Sequence, residues 1–598
     1  MIQLKKEIEG SFIMKKWNLD ALYTSFDSKE FQDSLVTIEK LIKESTEKAL
    51  KEFNDPSEPV RKIKEYIKRS EKLRAIFRVS FGFCSLTLST DAMNEEARKY
   101  QNKMQVLSSK LTLPYTRFVK WVPTIENLDE IVASDPELAE FKFYLSEIVD
   151  GAKYLLSDKE EILISKMKQT SSSAWSQLQS QLTSTLKVDY DGKEITLSEV
   201  RNLSSDKSQE VRKKAYEAEM AAYPKVEQAI AFALNGVKGE VNTILEMRGH
   251  ESALDEAIYN SRMKRSTLDA LISSMRDYLP HFHKYLKRKA KLLGHDGALP
   301  YYDMFAPVGN SSKEFTEEEA MEYIYTNFRT FSPDLEALAR RAYDEEWIDF
   351  TPRAGKRGGA FCSNIHPLKQ SRILTNFSGS FGNVITLAHE LGHAYHGDKI
   401  FVERALNASY TMPVAETAST FCETIVKNAA LKDADKDEKI FILEQSLKGS
   451  TQVIVDILSR FIFESAVFET RKSTPLNSRM LKELMLDAQK QAYGDSLHED
   501  FMQPYAWLNK GHYYIGGLSF YNFPYAFGLL FAKGIYAEFI KQGEPFVDKV
   551  NLLLQKTGQM TVEDVASLVG IDLSSKEFWN SSLDVIVDEI NLFLELTK

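Results

Sequence analysis

The sequence predicts a mainly α protein. Apolar positions recur at three- and four-residue steps along most of its 598 residues, and only two stretches show the alternation and turn chemistry of strands. A chain this long is beyond the size at which a single core stops growing, so two or more lobes are expected. Hydrophobic residues at 43% and charged residues at 27% are an ordinary globular balance, with no sign of disorder.

Taken in order, residues 1–16 read as an N-terminal tail and 17–198 as an N-terminal helical domain. Helical segments are expected at Phe31–Leu50, Pro59–Phe81, Ala92–Ser109 and Asp158–Leu186, separated by turn clusters such as Asn54-Asp55-Pro56-Ser57-Glu58-Pro59. The domain ends in Lys187–Tyr190, Asp191-Gly192 and Lys193–Leu197, the pattern of a hairpin with a type I′ turn. Residues 199–598 form the second domain. Its helical segments include Ser208–Met220, Ser266–Lys291, Thr316–Phe331 and Pro333–Asp344, with a loop at 303–312.

The interval from Thr351 to Asn383 is rich in Gly, Ser and Asn and holds the β-prone run Arg372–Phe377, a small β element just ahead of the next helix. Such a strand suggests an edge to which an extended peptide could add its main chain; the alternative is a strand internal to a small sheet. Gly359 and Ala360, in the preceding glycine run, are expected substrate contacts.

The stretch N-V-I-T-L-A-H-E-L-G-H-A-Y-H, from Asn383 to His396, is the centre of the second domain. Val384, Leu387, Ala388, Leu391 and Tyr395 keep helical spacing, with Asn383 as the expected cap and Gly397 as the expected stop. Four-residue spacing puts His389 and His393 on one face, one turn apart, with Glu390 beside them. Two imidazoles at that spacing can hold one Zn²⁺, and a neighbouring carboxylate can polarise water there. His396 lies about 10.5 Å further along the axis than His389, and helical side chains lean toward the N-terminus, so it is expected to support the site or meet a substrate group rather than bind metal.

A third ligand must come from elsewhere. Pro413 opens a further helix, and Glu416 and Glu423, seven residues apart in a small and apolar stretch, share a face. Glu416 is the expected third ligand, and Glu423 the residue that orients a ligand histidine through its distal N–H. A metzincin is excluded, since position 396 would have to be Gly and 399 His; they are His and Lys. An EF-hand-like run from Asp433 to Glu444 has Glu438 where the sharp turn needs Gly, so calcium is not expected. In the aromatic stretch Gly511–Tyr525, His512 and Tyr525 can donate to a tetrahedral oxyanion, with Tyr514, Gly516 and Gly517 as substrate contacts on a flexible loop. Packing is the alternative role for so aromatic a stretch.

Composition narrows the rest. A net charge of −10 and no basic block argue against nucleic acid as a partner. Cys84, Cys362 and Cys422, odd in number and without a CxxC, fit a reducing compartment. The start of the chain has no apolar run of signal-peptide length, and Phe523–Ile540 is too interrupted by Gly, Lys and Glu to span a membrane, so a cytoplasmic location is expected. Oligomeric state is left open.

Three pieces resemble oligoendopeptidase F, in the thimet-oligopeptidase-like zinc peptidases: His389-Glu390-Leu391-Gly392-His393, the helix Val414–Ser419, and Phe520–Gly528. Trp17–Tyr23 is similar to that family's start, which makes Met14 a candidate first residue. The resemblance implies two helical lobes around a deep channel admitting short unfolded peptides. It implies one zinc per chain on His389, His393 and Glu416, Glu390 as general base, and His512 and Tyr525 as substrate and transition-state contacts. Leu518 and Asn522 depart from the family's tyrosine-rich loop. The expected activity is endopeptidase; the alternatives are a dipeptidyl carboxypeptidase on the same scaffold or a peptide-binding protein without turnover.

Overall fold

A computed structural model describes residues 15–309 and 313–598. The tail expected at 1–16, with Met14, lies outside them except for Lys15 and Lys16, as do residues 310–312 of the expected loop.

Helices carry most of the chain, as the periodicity predicts. Helix α1 (Lys29–Glu52) is capped by Ser28, whose side chain accepts from the Phe31 N–H, and it buries Phe31, Leu35, Ile38 and Ile42 at three- and four-residue steps. Each such side chain stabilises the fold by roughly 1.5–3 kcal/mol relative to exposure. The stripe packs against α2 (Pro59–Thr90), which Pro59 opens. The single helix expected over Asp158–Leu186 is two, Asp158–Thr170 and Ser172–Thr185. The chain breaks at Ser171, where Glu240 of α3 (Glu227–Arg248) accepts from the Ser172 N–H at 2.7 Å and its hydroxyl at 2.8 Å, giving the new helix start a side-chain partner.

Strands β1 (Lys187–Tyr190) and β2 (Lys193–Thr196) form the expected hairpin, with Tyr190 opposite Lys193 and positive φ at both Asp191 and Gly192. The second sheet joins β3 (Ile348–Asp349), β4 (Phe361–Ile365) and β5 (Gln370–Leu374) in the order β3-β5-β4. This corrects the expected edge in favour of the internal-strand alternative: β5 is paired on both sides, parallel to β3 and antiparallel to β4, and the outer strands are β3 and β4. Its burial fits the placement, because Ser371–Leu374 are almost wholly enclosed, as a strand paired on both sides requires.

Four further helices surround the next section's residues: α4 (Phe381–Ile400), α5 (Thr417–Asp433), α6 (Lys436–Thr451) and α7 (Phe523–Gln542), with the C-terminal α8 (Lys576–Leu596) across them. They share the largest apolar cluster, which runs from Val237 to Phe593. The N-terminal cluster around α1 and α2 takes in Ile365 and Leu374, so the sheet is the seam along which the N-terminal helices meet α4.

Candidate active site

Ser380, not Asn383, caps α4. Its hydroxyl accepts from the Asn383 N–H, and Asn383, three residues in, reaches back in a capping box. Gly397 does not stop the helix either: it lies inside α4, and its missing side chain lets Asn364 of β4 pack where a Cβ would be, at 2.5 Å. The helix presents His389, Glu390 and His393 from consecutive turns.

Gly392 decides how closely α5 can cross. A Cβ there would stand 2.6 Å from the Ala418 carbonyl oxygen and 2.6 Å from the Ser419 Cα, so only a bare backbone allows this contact. The crossing carries Glu416 to the histidines. Glu416 sits at a one-residue break (φ −90°, ψ 4°) between the short helix Met412–Ala415 and α5, rather than inside one helix with Glu423. From the other side α7 presses Gly528 against it, where a Cβ would meet Glu416 Cβ at 2.8 Å.

The result is a triangle of donor atoms. His389 Nε2 and His393 Nε2 are 3.1 Å apart, and Glu416 Oε2 is 3.3 Å and 3.4 Å from them. These donors fit a divalent metal. His389 Nδ1 lies 2.6 Å from Glu423 Oε1, so its N–H is committed there and the Nε2 lone pair faces Glu416. Ser419 donates to Glu416 Oε2 at 2.8 Å, and Lys427 donates to Glu423 Oε2 at 2.7 Å. Glu390 lies beside the triangle, 5% exposed, and its buried Oε2 has no hydrogen-bond partner among the described residues.

Burial and charge divide these groups. Burial would raise the Glu423 carboxyl, but Lys427 and His389 overcome it and hold it at about 2. Burial works against a charged His389, and Glu423, with Glu416 and Glu390, more than offsets it. Burial drives His393 down to about 4 and pushes Glu390 up to about 7.

His389, Glu416 and Glu423 open on a cavity of about 410 Å³ whose far walls are α6, α7 and α8. Tyr525 stands on this wall, its phenol pushed up by burial and by Tyr521. His512 is exposed and is tied to Tyr525 through Tyr521, which meets both rings edge-on at 4.8 Å and 5.3 Å.

The remaining expected residues divide. Gly359 is exposed at φ +80°, its carbonyl accepting from the Asn376 amide, and with Ala360 it leads into the outer strand β4. Gly517 is exposed, but Gly516 is backed onto Ser172, where a Cβ would be 2.6 Å from that side chain. Tyr514 corrects the expectation of a substrate contact: it is fully buried and its hydroxyl donates to the Trp507 carbonyl at 3.2 Å. His396 is likewise fully buried, stacked on Tyr410 at 4.1 Å and bonded through Nε2 to the Thr557 hydroxyl at 2.9 Å, two turns further along α4 than His389. Sequence reasoning missed Lys427, Ser419, Tyr521 and Asn364, whose amide donates to the His393 carbonyl at 3.1 Å. Lys427 and Ser419 had a signal, lying four and three residues past the two glutamates; Asn364 had none, because a long-range pairing sets it.

The profile of Peptidase family M3 matches residues 202–585, and that of Oligopeptidase F matches residues 124–187. The chain belongs to peptidase family M3. It is therefore a metallopeptidase, and His389, His393 and Glu416 can hold the metal. The chain is 25% identical to oligopeptidase PepF of Bacillus subtilis over 481 residues, covering 79% of this chain and 71% of that one. It is 23% identical to an oligoendopeptidase F homologue of Lactococcus lactis over 97% of both chains. In fold it is similar to oligoendopeptidase F from Enterococcus faecium, with a TM-score of 0.71 and 18% identity over 95% of this chain and 99% of the other. Among the described residues no helix is long and apolar enough to cross a membrane.

Proposed function

We propose that this M3 peptidase is a zinc-dependent endopeptidase that hydrolyses internal bonds of short unfolded peptides, with one zinc held by His389, His393 and Glu416. One observation carries the reading: three donor atoms converge within 4.8 Å of one another, and the unpaired carboxylate of Glu390 lies at their side. When bound, zinc supplies Lewis acidity to the scissile carbonyl and to water.

The chain's own residues do the rest. Glu390 takes a proton from the attacking water and passes it to the leaving amine as the C–N bond breaks. Burial raises the Glu390 carboxyl, the direction a group needs in order both to take and to give a proton near neutral pH. Tyr525 and His512 donate to the oxyanion. Glu423, held anionic by Lys427, keeps His389 in the tautomer that binds metal. Peptides are the substrate, and we place the reaction in the cytoplasm, where Cys84, Cys362 and Cys422 can stay as the free thiols they are.

The test is product analysis. Short peptides incubated with the purified protein should be cut at internal bonds, seen by mass spectrometry, and a zinc chelator should abolish the cuts. Release of C-terminal dipeptides alone would make it a dipeptidyl carboxypeptidase. Glu390→Gln should keep bound zinc by elemental analysis and lose about 10²- to 10⁴-fold in kcat, whereas His389→Ala should lose both zinc and activity. Wild-type rates in Glu390→Gln would remove Glu390 from the base role.

A further inference from the structure

We propose that Arg74 and Arg78 of α2 form a carboxylate-binding site for the peptide substrate. The proposal rests on the peptidase reading above and adds to it a substrate class: peptides presenting a carboxylate, at the C-terminus or on an acidic side chain.

The two arginines are one turn apart on one face of α2. Like charges at that spacing disfavour the helix unless something between them is gained. Elsewhere on α2 the arginines are matched: Arg61 pairs with Glu58 and Glu65, and Arg69 with Glu65. Arg74 and Arg78 have no carboxylate within ion-pair distance among the described residues. The nearest candidate, Glu71, is taken by Arg404, whose Nε is 3.2 Å from both of its oxygens. What the pair touches is neutral: Arg74 meets the Ser409 hydroxyl, and Arg78 Nε donates to the Asn364 carbonyl at 2.9 Å. A guanidinium has five N–H donors in a fork that fits a carboxylate, and these contacts leave part of each fork unused.

The setting favours an anion. Both arginines line a cavity of about 490 Å³, with Tyr66, Phe77, Phe81 and Tyr115 among its walls. They remain accessible from that cavity, yet the surrounding protein works against both positive charges. A charge-assisted hydrogen bond is strongest where water is partly excluded. The site is also tied to the catalytic helix. Arg78 bonds Asn364 on the outer strand β4, and the Asn364 side chain bonds the His393 carbonyl at 3.1 Å. A peptide extended along β4 would bring a carboxylate to α2 while a bond lay near the metal triangle. Pinning Asn364 and Ser409 in place needs only neutral donors, so structure alone does not account for two adjacent cations.

The experiment compares four versions of one cleavable peptide: free C-terminal acid with and without a single Glu, and the C-terminal amide of each. They are assayed with wild type, Arg74→Met/Arg78→Met, and Arg74→Lys/Arg78→Lys. Wild type should prefer a carboxylate-bearing version by about tenfold or more in kcat/KM, the effect of one charge-assisted hydrogen bond. Loss of preference on amidation assigns the site to the C-terminus; loss on removing Glu assigns it to a side chain. The Met pair should abolish the preference while leaving the neutral peptide within a few-fold of wild type, and the Lys pair should keep part of it. The inference is overturned if wild type cuts all four equally, or if the Met pair slows every peptide by the same factor. The comparison among wild-type rates stands even if the Met pair fails to fold. Absence of cleavage of any peptide by zinc-loaded wild type would instead overturn the endopeptidase reading beneath it.

Discussion

The metal triangle and the aromatic arm from His512 to Tyr525, to which we assign the same reaction, are built differently. In the triangle two of the three side chains are held by others, His389 by Glu423, itself held by Lys427, and Glu416 by Ser419, with two glycines bringing the helices together. In the arm, exposed His512 and half-buried Tyr525 are joined through Tyr521, which meets both rings edge-on and hydrogen-bonds the Tyr525 phenol. A metal site needs its donors fixed before the ion arrives, whereas oxyanion donors can complete their geometry as substrate closes the site. The difference predicts that damage to the triangle is lost all at once and damage to the arm in steps.

The largest effect should come from Gly392→Val. Its side chain would be driven into the Ala418–Ser419 backbone, which cannot yield as a flexible side chain would. Overpacking of this kind costs roughly 1–3 kcal/mol or more. Because the same contact carries Glu416, zinc affinity should collapse with the loss of stability. Thermal unfolding with and without zinc measures both, and a variant that still gains stability from zinc as wild type does would show the crossing to be unnecessary.

Within the arm the effects should be graded. Tyr525→Phe removes one oxyanion donor and should lower kcat by about 10²–10³-fold, with zinc content unchanged. Tyr521→Leu keeps both donors but removes the rings' common support, each edge contact being worth about 0.5–1.5 kcal/mol. Its loss should fall near tenfold, about 1.4 kcal/mol of barrier. If Tyr521→Leu equals Tyr525→Phe, the arm is as interlocked as the triangle and the contrast is wrong.

The same contrast explains what the sequence makes legible. The spacing of His389, Glu390 and His393 is local, so helix geometry alone places them, and Asp191-Gly192 announces its turn with the same economy. Glu416 was legible only as residue type near a predicted helix start; its place at a break between two helices depends on Gly392 and Gly528, which come from different elements. Tyr514 was read wrongly because a tyrosine in a glycine-rich run looks like a loop contact, and only the long-range partner Trp507 makes it core. Whether β5 is an edge or an internal strand stays open in the sequence, because strand order is a property of pairing, invisible in any one strand alone. Lone polar residues with distant partners, such as Asn364, carry no local signal.

His396 sharpens the comparison from further along α4, with an effect that depends on pH. It shares a helix with the metal histidines but is sealed among Tyr410 and Thr557, and burial pushes it from the ordinary 6.5 down to about 3. A histidine kept neutral in the fold but free to charge when unfolded makes the unfolded chain bind the extra proton at low pH. Its contribution is therefore whole above about 6.5 and is lost progressively as pH falls from there toward 3. His396→Gln keeps an amide for Thr557 and removes the titration. Wild type should melt higher than His396→Gln at pH 7, and the gap should narrow steadily between pH 6.5 and 4. A gap that holds constant across that range would mean His396 takes up its proton inside the fold, and its pocket beside Tyr410 would then be as open to water as the arm.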